Sequence, residues 1–279
     1  MTRLKSADIS HIVAELGNYD DTLIKITGRS LRGIACYATG FKETSLESQL
    51  DGVLVGVIPI STGKGIIGGF SDAVAGIAAH IGCRTFVTRN ADVAGLCEAF
   101  EKRADLVLMS DDNCFVAVNV QRRRVVENAD ATGKGFAAGL ALMAGGLKER
   151  KVLVLGCGPV GSSAAETLIQ RGALVAVHDL NRFRCQILKD KIKELYNAVI
   201  DIEEELDPAL VSYHYIIDAT PAAAIISRQH IHEDTYVSAP GVPLGLDAEA
   251  EAKMAGRLLH DPLQIGVATM LIEAIRMVK

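Results

Sequence analysis

The feature that most limits what this chain can fold into is six residues long: Gly156-Cys157-Gly158-Pro159-Val160-Gly161. It stands between an apolar run, Val152 to Leu155, and a helical pattern, Ser162 to Arg171. A lone G-x-G-x-x-G is weak evidence, because glycine is common. Between a strand and a helix each glycine has a task. Gly156 permits the tight turn, Gly158 lets backbone approach a pyrophosphate, and Gly161 lets helix and strand pack closely. The helix start, with Pro159 and Val160 in its first turn, then offers N–H groups and positive dipole to phosphates. Asp179 closes the next apolar run, Leu174 to Val177. A carboxylate there suits both ribose hydroxyls and repels a 2′-phosphate, which favours NAD over NADP. Arg182 and Arg184 keep NADP as an alternative, although an arginine there can also lie on the adenine face. A structural turn without nucleotide is the competing reading of the motif.

The same half holds further strand-like runs at Tyr215 to Asp218, Tyr236 to Ser238 and Leu258-Leu259, with a weaker one at Asn197 to Ile202. Helices are expected at Phe183 to Leu195, Ala248 to Gly256 and Ile265 to Val278. Ligands of open α/β sheets sit outside the carboxyl ends of strands. Thr220-Pro221 and Pro240-Gly241 therefore either line the nicotinamide end or are plain proline turns.

A second α/β pattern fills the first half. Gly52 to Ile60 is a β-branched run, Phe70 to Ile81 a helix, and Thr85 to Thr88 a strand. Ala91 to Lys102 is a helix, and Asp105 to Ser110 a buried strand. Short apolar strands alternating with helices imply a parallel sheet covered on both faces. An N-terminal helix over about Ser6 to Leu16 carries Ile9, Ile12, Val13 and Leu16 on one face. Ala131 to Lys148 reads as a joining helix of small residues. The expected class is α/β in two domains: an N-terminal α/β substrate domain (1–130), a linking helix (131–148), a C-terminal Rossmann NAD-binding domain (149–262), and a terminal helix (263–279) returning to the first domain.

Composition narrows the function. With 279 residues, 49% hydrophobic and net charge −5, the chain is globular and carries no one-signed patch of the size nucleic acid needs. Arg122-Arg123-Arg124 reads as a solvated turn. Six cysteines and seven histidines show no metal-ligand spacing, so no metal is expected, and His230 and His232 read as a surface turn. The thiols read as reduced and mostly buried. No run resembles a signal peptide or a membrane span, so a cytoplasmic protein without a membrane partner is expected. The expected partner is a small-molecule substrate, with a homodimer left open.

Two strand ends in the first half point at a site. Ser61-Thr62-Gly63-Lys64-Gly65 brings backbone near a ligand but lacks P-loop spacing. Asp111-Asp112-Asn113 places adjacent carboxylates at a buried strand end, which costs desolvation unless something positive pairs with them. A cationic substrate or Lys64 serves. Alternatively, one Asp caps the following segment and the other is solvated.

Several segments together resemble one family, pyrrolysine synthase, also called methylornithyl-lysine dehydrogenase. They are Val55 to Ser71, Asp92-Val93-Ala94-Gly95, Met109 to Asn113, the Gly156 turn, Ala219-Thr220-Pro221, Pro240 to Pro243 and Pro262 to Leu271. The likeness spans most of the chain, and its first and last blocks are long and unusual. It implies an NAD-dependent oxidoreductase acting on 3-methyl-D-ornithine amide-linked to the lysine side chain. The terminal amine would lose hydride, the imine would hydrolyse with release of ammonia, and the α-amine would close on the aldehyde with loss of water. By the same likeness Leu4 and Phe70 cover the substrate, with the N-terminal helix as a lid. Ser61, Thr62, Asp111 and Asn113 hold its polar groups, and Asp111 receives the amine proton. Departures from the family pattern are Ala239 where Thr is expected, Gln264 where Gly is expected, and the character of residues 202–213. The alternatives are another NAD-dependent amine or amino-acid dehydrogenase with a different cationic substrate, and a non-catalytic NAD-binding sensor.

Overall fold

Where strong apolar runs meet turn residues, the computed structural model, which describes residues 4–50 and 52–276, forms strands. The first half opens with four helices: α1 (Ser6–Ile9), α2 (Ile12–Thr27), α3 (Leu31–Thr39) and α4 (Glu43–Leu50). The expected N-terminal helix is thus broken at Ser10-His11 and continues far beyond Leu16. Ile12, Leu16 and Leu23 give α2 a buried stripe, and Gly28 in the left-handed region ends it. Then come β1 (Leu54–Ile58), α5 (Phe70–His80), β2 (Arg84–Val87), α6 (Asp92–Glu101), β3 (Leu106–Ser110), β4 (Phe115–Asn119) and β5 (Arg124–Glu127).

These strands form one sheet in the order β2-β1-β3-β4-β5. It is mixed rather than all-parallel. β2, β1 and β3 run parallel, whereas β3–β4 and β4–β5 pair antiparallel. The correction comes from two tight turns, at Asp111–Asn113 and Gln121–Arg123, the second helped by Arg123 at φ +53°. The Arg122-Arg123 pair sits exposed in that second turn. Because β5 runs with β1 and β3, the carboxyl ends of all three lie on one edge.

From that edge starts α7 (Asn128–Met143). It begins and ends earlier than the expected 131–148, because Gly145 and Gly146, both at positive φ, stop it. The second half then reads β6 (Lys151–Leu155), α8 (Pro159–Gln170), β7 (Leu174–His178), α9 (Arg182–Tyr196), β8 (Asp201–Ile202), α10 (Leu206–Ser212), β9 (Tyr215–Asp218), β10 (Tyr236–Ala239), α11 (Ala248–Lys253), β11 (Leu258–His260) and α12 (Gln264–Ile275). Its sheet is parallel in the order β11-β10-β9-β6-β7-β8, the doubly wound Rossmann arrangement. α10 falls in the stretch where the family pattern departs. His230 is buried at 3% exposure, not at a surface turn, with Nδ1 against the Ser227 N–H.

Small residues bring α7 against both halves. A Cβ on Gly133 would stand 2.4 Å from the Val160 carbonyl, so α7 crosses the first turns of α8. α12 leaves the second sheet and packs on α3, α5, α7, β4 and β5. Asn119 donates to the Ala274 carbonyl at 2.9 Å, and Arg124 and Lys134 pair with Glu273 at 3.2 and 3.0 Å. The expected end of this helix, at Val278, lies outside the described residues.

Candidate active site

Ser61 and Asp111 follow β1 and β3 on the sheet edge from which α7 starts, and the turn after β6 meets that helix start, where Glu127, Ala129 and Asp130 share a groove with Cys157, Gly158 and Pro159. In the first half, Ser61 is held by a residue from outside its own loop. Asp92 Oδ1 accepts the Ser61 N–H at 2.8 Å, and Oδ2 accepts its hydroxyl at 2.5 Å. These bonds hold the Asp92 carboxyl below the ordinary carboxylate range. Asp92 opens α6 at φ +53°, a conformation that costs a non-glycine residue about 1–2 kcal/mol. In the sequence Asp92 stands at the start of an expected helix and in the Asp92-Val93-Ala94-Gly95 block of the family resemblance, and neither ties it to Ser61.

The two adjacent carboxylates divide their work. Asp111 Oδ1 accepts the Asn113 and Cys114 N–H groups at 2.8 and 2.7 Å, closing the β3–β4 turn. Its Oδ2 accepts no hydrogen bond among the described residues, and the side chain is exposed. Asp112, rather than Asp111, reaches the opposite loop: Oδ2 accepts the Lys64 N–H at 2.7 Å. Gly63, at φ +68°, makes room for it, since a Cβ there would lie 2.2 Å from that oxygen. The capping alternative therefore holds for Asp111, and Asp112 is tied rather than simply solvated. Thr62 is exposed and its carbonyl accepts the Gly65 N–H at 3.3 Å. Phe70 is half-buried, edge-on to Phe115 with ring centres 5.5 Å apart. Leu4 is partly buried against the core, and Ser6 lies against Gly68, so the N-terminal segment meets the Ile66–Gly69 loop.

The second half supplies the dinucleotide cradle. Gly156 takes φ +87°, and a Cβ on Gly161 would fall 1.8 Å from the Gly156 carbonyl. A Cβ on Gly158 would meet nothing within 4 Å, leaving that side of the backbone open to a phosphate. Asp179 braces the turn: Oδ2 accepts the Cys157 N–H at 2.7 Å and Oδ1 the Asn181 N–H at 2.8 Å. Each oxygen retains a lone pair for a ribose hydroxyl. Arg182 instead pairs with Glu204 and is exposed, while Arg184 lines the groove beside Cys157 and Gly158. The Thr220 hydroxyl donates to Asp218 Oδ1 at 2.7 Å, and Pro221 is exposed. Gly241 donates its N–H to the Asp218 carbonyl at 3.2 Å and lies against the Thr220 carbonyl, so the loops after β9 and β10 pack together, with Pro240 half-buried between strand and loop. Asp218 is fully buried, and burial raises its carboxyl above the ordinary range. Cys157 and Cys185 are buried with their sulfurs 3.6 Å apart.

At the junction of α7 and α12 stands Gln264, one of the departures from the family pattern, together with Asn128, which no sequence signal marks. Asn128 Nδ2 and Gln264 Oε1 are buried without hydrogen-bond partners among the described residues. No group of three or more His, Cys, Asp or Glu side chains is placed to hold a metal ion among the described residues, and no helix there is long and apolar enough to cross a membrane.

Comparison with known proteins assigns each half. Residues 8–126 match the model of the N-terminal domain of the pyrrolysine biosynthesis protein PylD. Residues 125–233 match the C-terminal domain of alanine dehydrogenase/PNT. Over 271 residues the chain is 31% identical to the pyrrolysine synthase of Methanosarcina acetivorans, covering 97% of this chain and 98% of the relative. The chain belongs to the pyrrolysine synthase family. The pyrrolysine synthase of Methanosarcina barkeri is 32% identical, with 97% of each chain covered. Among solved structures, quinate dehydrogenase from Corynebacterium glutamicum in complex with NAD shares the fold at TM-score 0.56 and 16% identity, covering 80% of this chain and 92% of that one. Shikimate 5-dehydrogenase from Thermus thermophilus, in complex with NADP(H) and shikimate, does so at 0.52 and 15%, covering 80% and 93%. As a member of the pyrrolysine synthase family, the chain is an NAD(P)-dependent dehydrogenase of pyrrolysine biosynthesis acting on a small molecule.

Proposed function

We propose that this enzyme oxidises the terminal amine of 3-methyl-D-ornithyl-lysine with NAD and lets the product close to pyrrolysine. The observation that carries this reading is the carboxylate-lined edge of the first sheet. There Asp111 keeps one oxygen unspent among the described residues, on a turn that Asp112 ties to the Ser61–Gly65 loop through the Lys64 N–H, and the Ser61 proton is committed to Asp92. A cationic amine satisfies both groups. Residues 1–130 then hold the substrate with the terminal helix packed behind them, residues 149–262 hold the cofactor, and the helix over 131–148 joins them.

Bound NAD supplies the hydride acceptor. The chain's residues do the rest. Asp111 Oδ2 binds the ammonium and takes its proton, directly or through one water, because hydride can leave carbon only once nitrogen has a lone pair to form the C=N bond. Leu4 and Phe70 exclude water from the amine, and Thr62 and Asn113 hold the distal polar groups. Water then adds to the imine, ammonia leaves, and the α-amine condenses with the aldehyde, losing water. Five-membered closure asks little of the protein, because the reacting groups are tethered. Asp179 offers its lone pairs to the ribose hydroxyls, which supports NAD over NADP.

The test is NADH formation, followed by absorbance, on adding methylornithyl-lysine, with free ornithine and free lysine as controls. Turnover of the dipeptide-like substrate alone is expected, with NAD used better than NADP. Asp111→Asn is a clean probe, because its carbonyl oxygen keeps the turn closed while the charge on Oδ2 is lost. Turnover should fall at least ~100-fold with NADH affinity retained. Near-wild-type turnover in that variant would remove Asp111 from the mechanism.

A further inference from the structure

Asp92 spends both carboxylate oxygens on one residue. Oδ1 takes the Ser61 N–H at 2.8 Å and Oδ2 takes the Ser61 hydroxyl at 2.5 Å. A hydroxyl has one proton and two lone pairs. With the proton directed at Asp92, only lone pairs remain for anything in the cleft. The left-handed backbone of Asp92 keeps this aim: its own N–H is tied to the Pro59 carbonyl at 3.0 Å, on the segment leading to Ser61. Both the backbone and the side chain of Asp92 thus grip the chain between β1 and Ser61.

We propose that Asp92 is a positioning residue that makes Ser61 an obligate hydrogen-bond acceptor, so that the subsite admits an amine and discriminates against a group that can only accept, such as an ether oxygen or a carboxylate, in the same place. The inference rests on Ser61 facing the substrate, as read under the proposed function. A neutral serine in an open cleft serves as donor or acceptor and reads nothing. A serine whose proton is committed to a carboxylate presents concentrated negative potential and rejects an acceptor. The low carboxyl pKa of Asp92 accords with this, since a carboxylate accepting two bonds stays ionised. Asp111 binds charge in the same place; Ser61 adds the requirement that the incoming group donate.

A mere loop tether makes a different prediction, and Asp92→Asn separates the two. The asparagine carbonyl still accepts the Ser61 N–H, while its NH2 group donates to the Ser61 oxygen. The tether is kept, but the hydroxyl proton is released toward the cleft. The KM for methylornithyl-lysine should rise about tenfold, and the Ki of the analogue bearing a terminal methyl ether in place of the amine, an acceptor with no proton to donate, should fall, so the ether-to-amine ratio shifts strongly. In a Ser61→Ala background the same substitution should change neither constant further, and NADH affinity should stay constant throughout. Wild-type KM and an unchanged ratio in Asp92→Asn overturn the proposal, as does an equal effect of Asp92→Asn with and without Ser61. If the wild-type enzyme does not oxidise methylornithyl-lysine at all, the functional reading itself fails and this inference falls with it.

Discussion

At the scale of single residues, much of the local order depends on carboxylates that accept backbone N–H groups. Glu98 is a second case beside Asp92. Its Oε2 accepts the Arg89 and Asn90 N–H groups at 2.9 and 3.2 Å, and Lys102 donates to Oε1 at 2.8 Å. The Lys102 contact leads in lowering its carboxyl from 4.5 to about 2. A depressed folded value means that Glu98 stabilises the fold above its unfolded value and loses that contribution as pH falls from about 4.5 toward about 2. Glu98→Gln should therefore unfold at lower denaturant than wild type at neutral pH, and the two curves should converge in strong acid. Residue-scale features of this kind were the least legible in the sequence. The apolar run before Asp111 marks it as a site residue, and the need for a partner points to Lys64, but nothing in the sequence says that Asp112 takes the Lys64 backbone N–H, or that Asp92 adopts a left-handed backbone to hold Ser61. Such pairings join residues 31 and 48 positions apart, and no local periodicity encodes them.

At the scale of elements, the sequence was clearest where periodicity and turn chemistry agree. β6, the Gly156 turn and α8 stand close to where the strand-glycine-helix pattern put them, and β9 coincides with its apolar run. It was least clear where short strands are half-polar. β5 reads Arg-Val-Val-Glu and β8 only Asp-Ile, and their pairing is set by neighbours rather than by their own residues. The link between α2 and α12 also comes from tertiary structure. Tyr19 donates to Asp261 Oδ2 at 2.6 Å, and Asp261 Oδ1 accepts the Leu263 and Ile265 N–H groups, capping α12. Burial raises the Asp261 carboxyl and the Tyr19 phenol above their ordinary ranges. Tyr19→Phe removes a donor from a buried acid and should cost about 1–3 kcal/mol in urea unfolding. Asp261, already raised by burial, would be raised further, so ionising it in the folded state costs stability as pH increases. The loss should be larger at neutral pH than in acid, where Asp261 is protonated in both states. With α2 pinned in this way, the proposed lid reduces to Leu4–Ile9, ahead of the break at Ser10-His11.

At the scale of the whole molecule, α7 and α12 join two sheets whose carboxyl edges meet the same helix start. Asn128 Nδ2 and Gln264 Oε1, without partners among the described residues, sit at that junction, and each buried polar atom so left costs about 1–3 kcal/mol. Gln264→Met, which keeps the volume and removes the polar group, should raise the denaturation midpoint of the unliganded protein. A lower midpoint would mean that the amide is engaged within the fold after all. The path of α12 has another consequence, for synthesis. The first sheet is made early, yet the helix that covers β4, β5 and α5 is encoded at the far end of the chain. Once residues 1–130 have emerged from the ribosome, the surfaces of β4, β5 and α5 that α12 covers are still without that helix. The nascent chain must wait, exposed, while the entire cofactor half is translated. Ribosome-bound chains halted before α12 should therefore recruit chaperones and aggregate on release, and supplying the missing helix in trans should not rescue a half that has already collapsed without it.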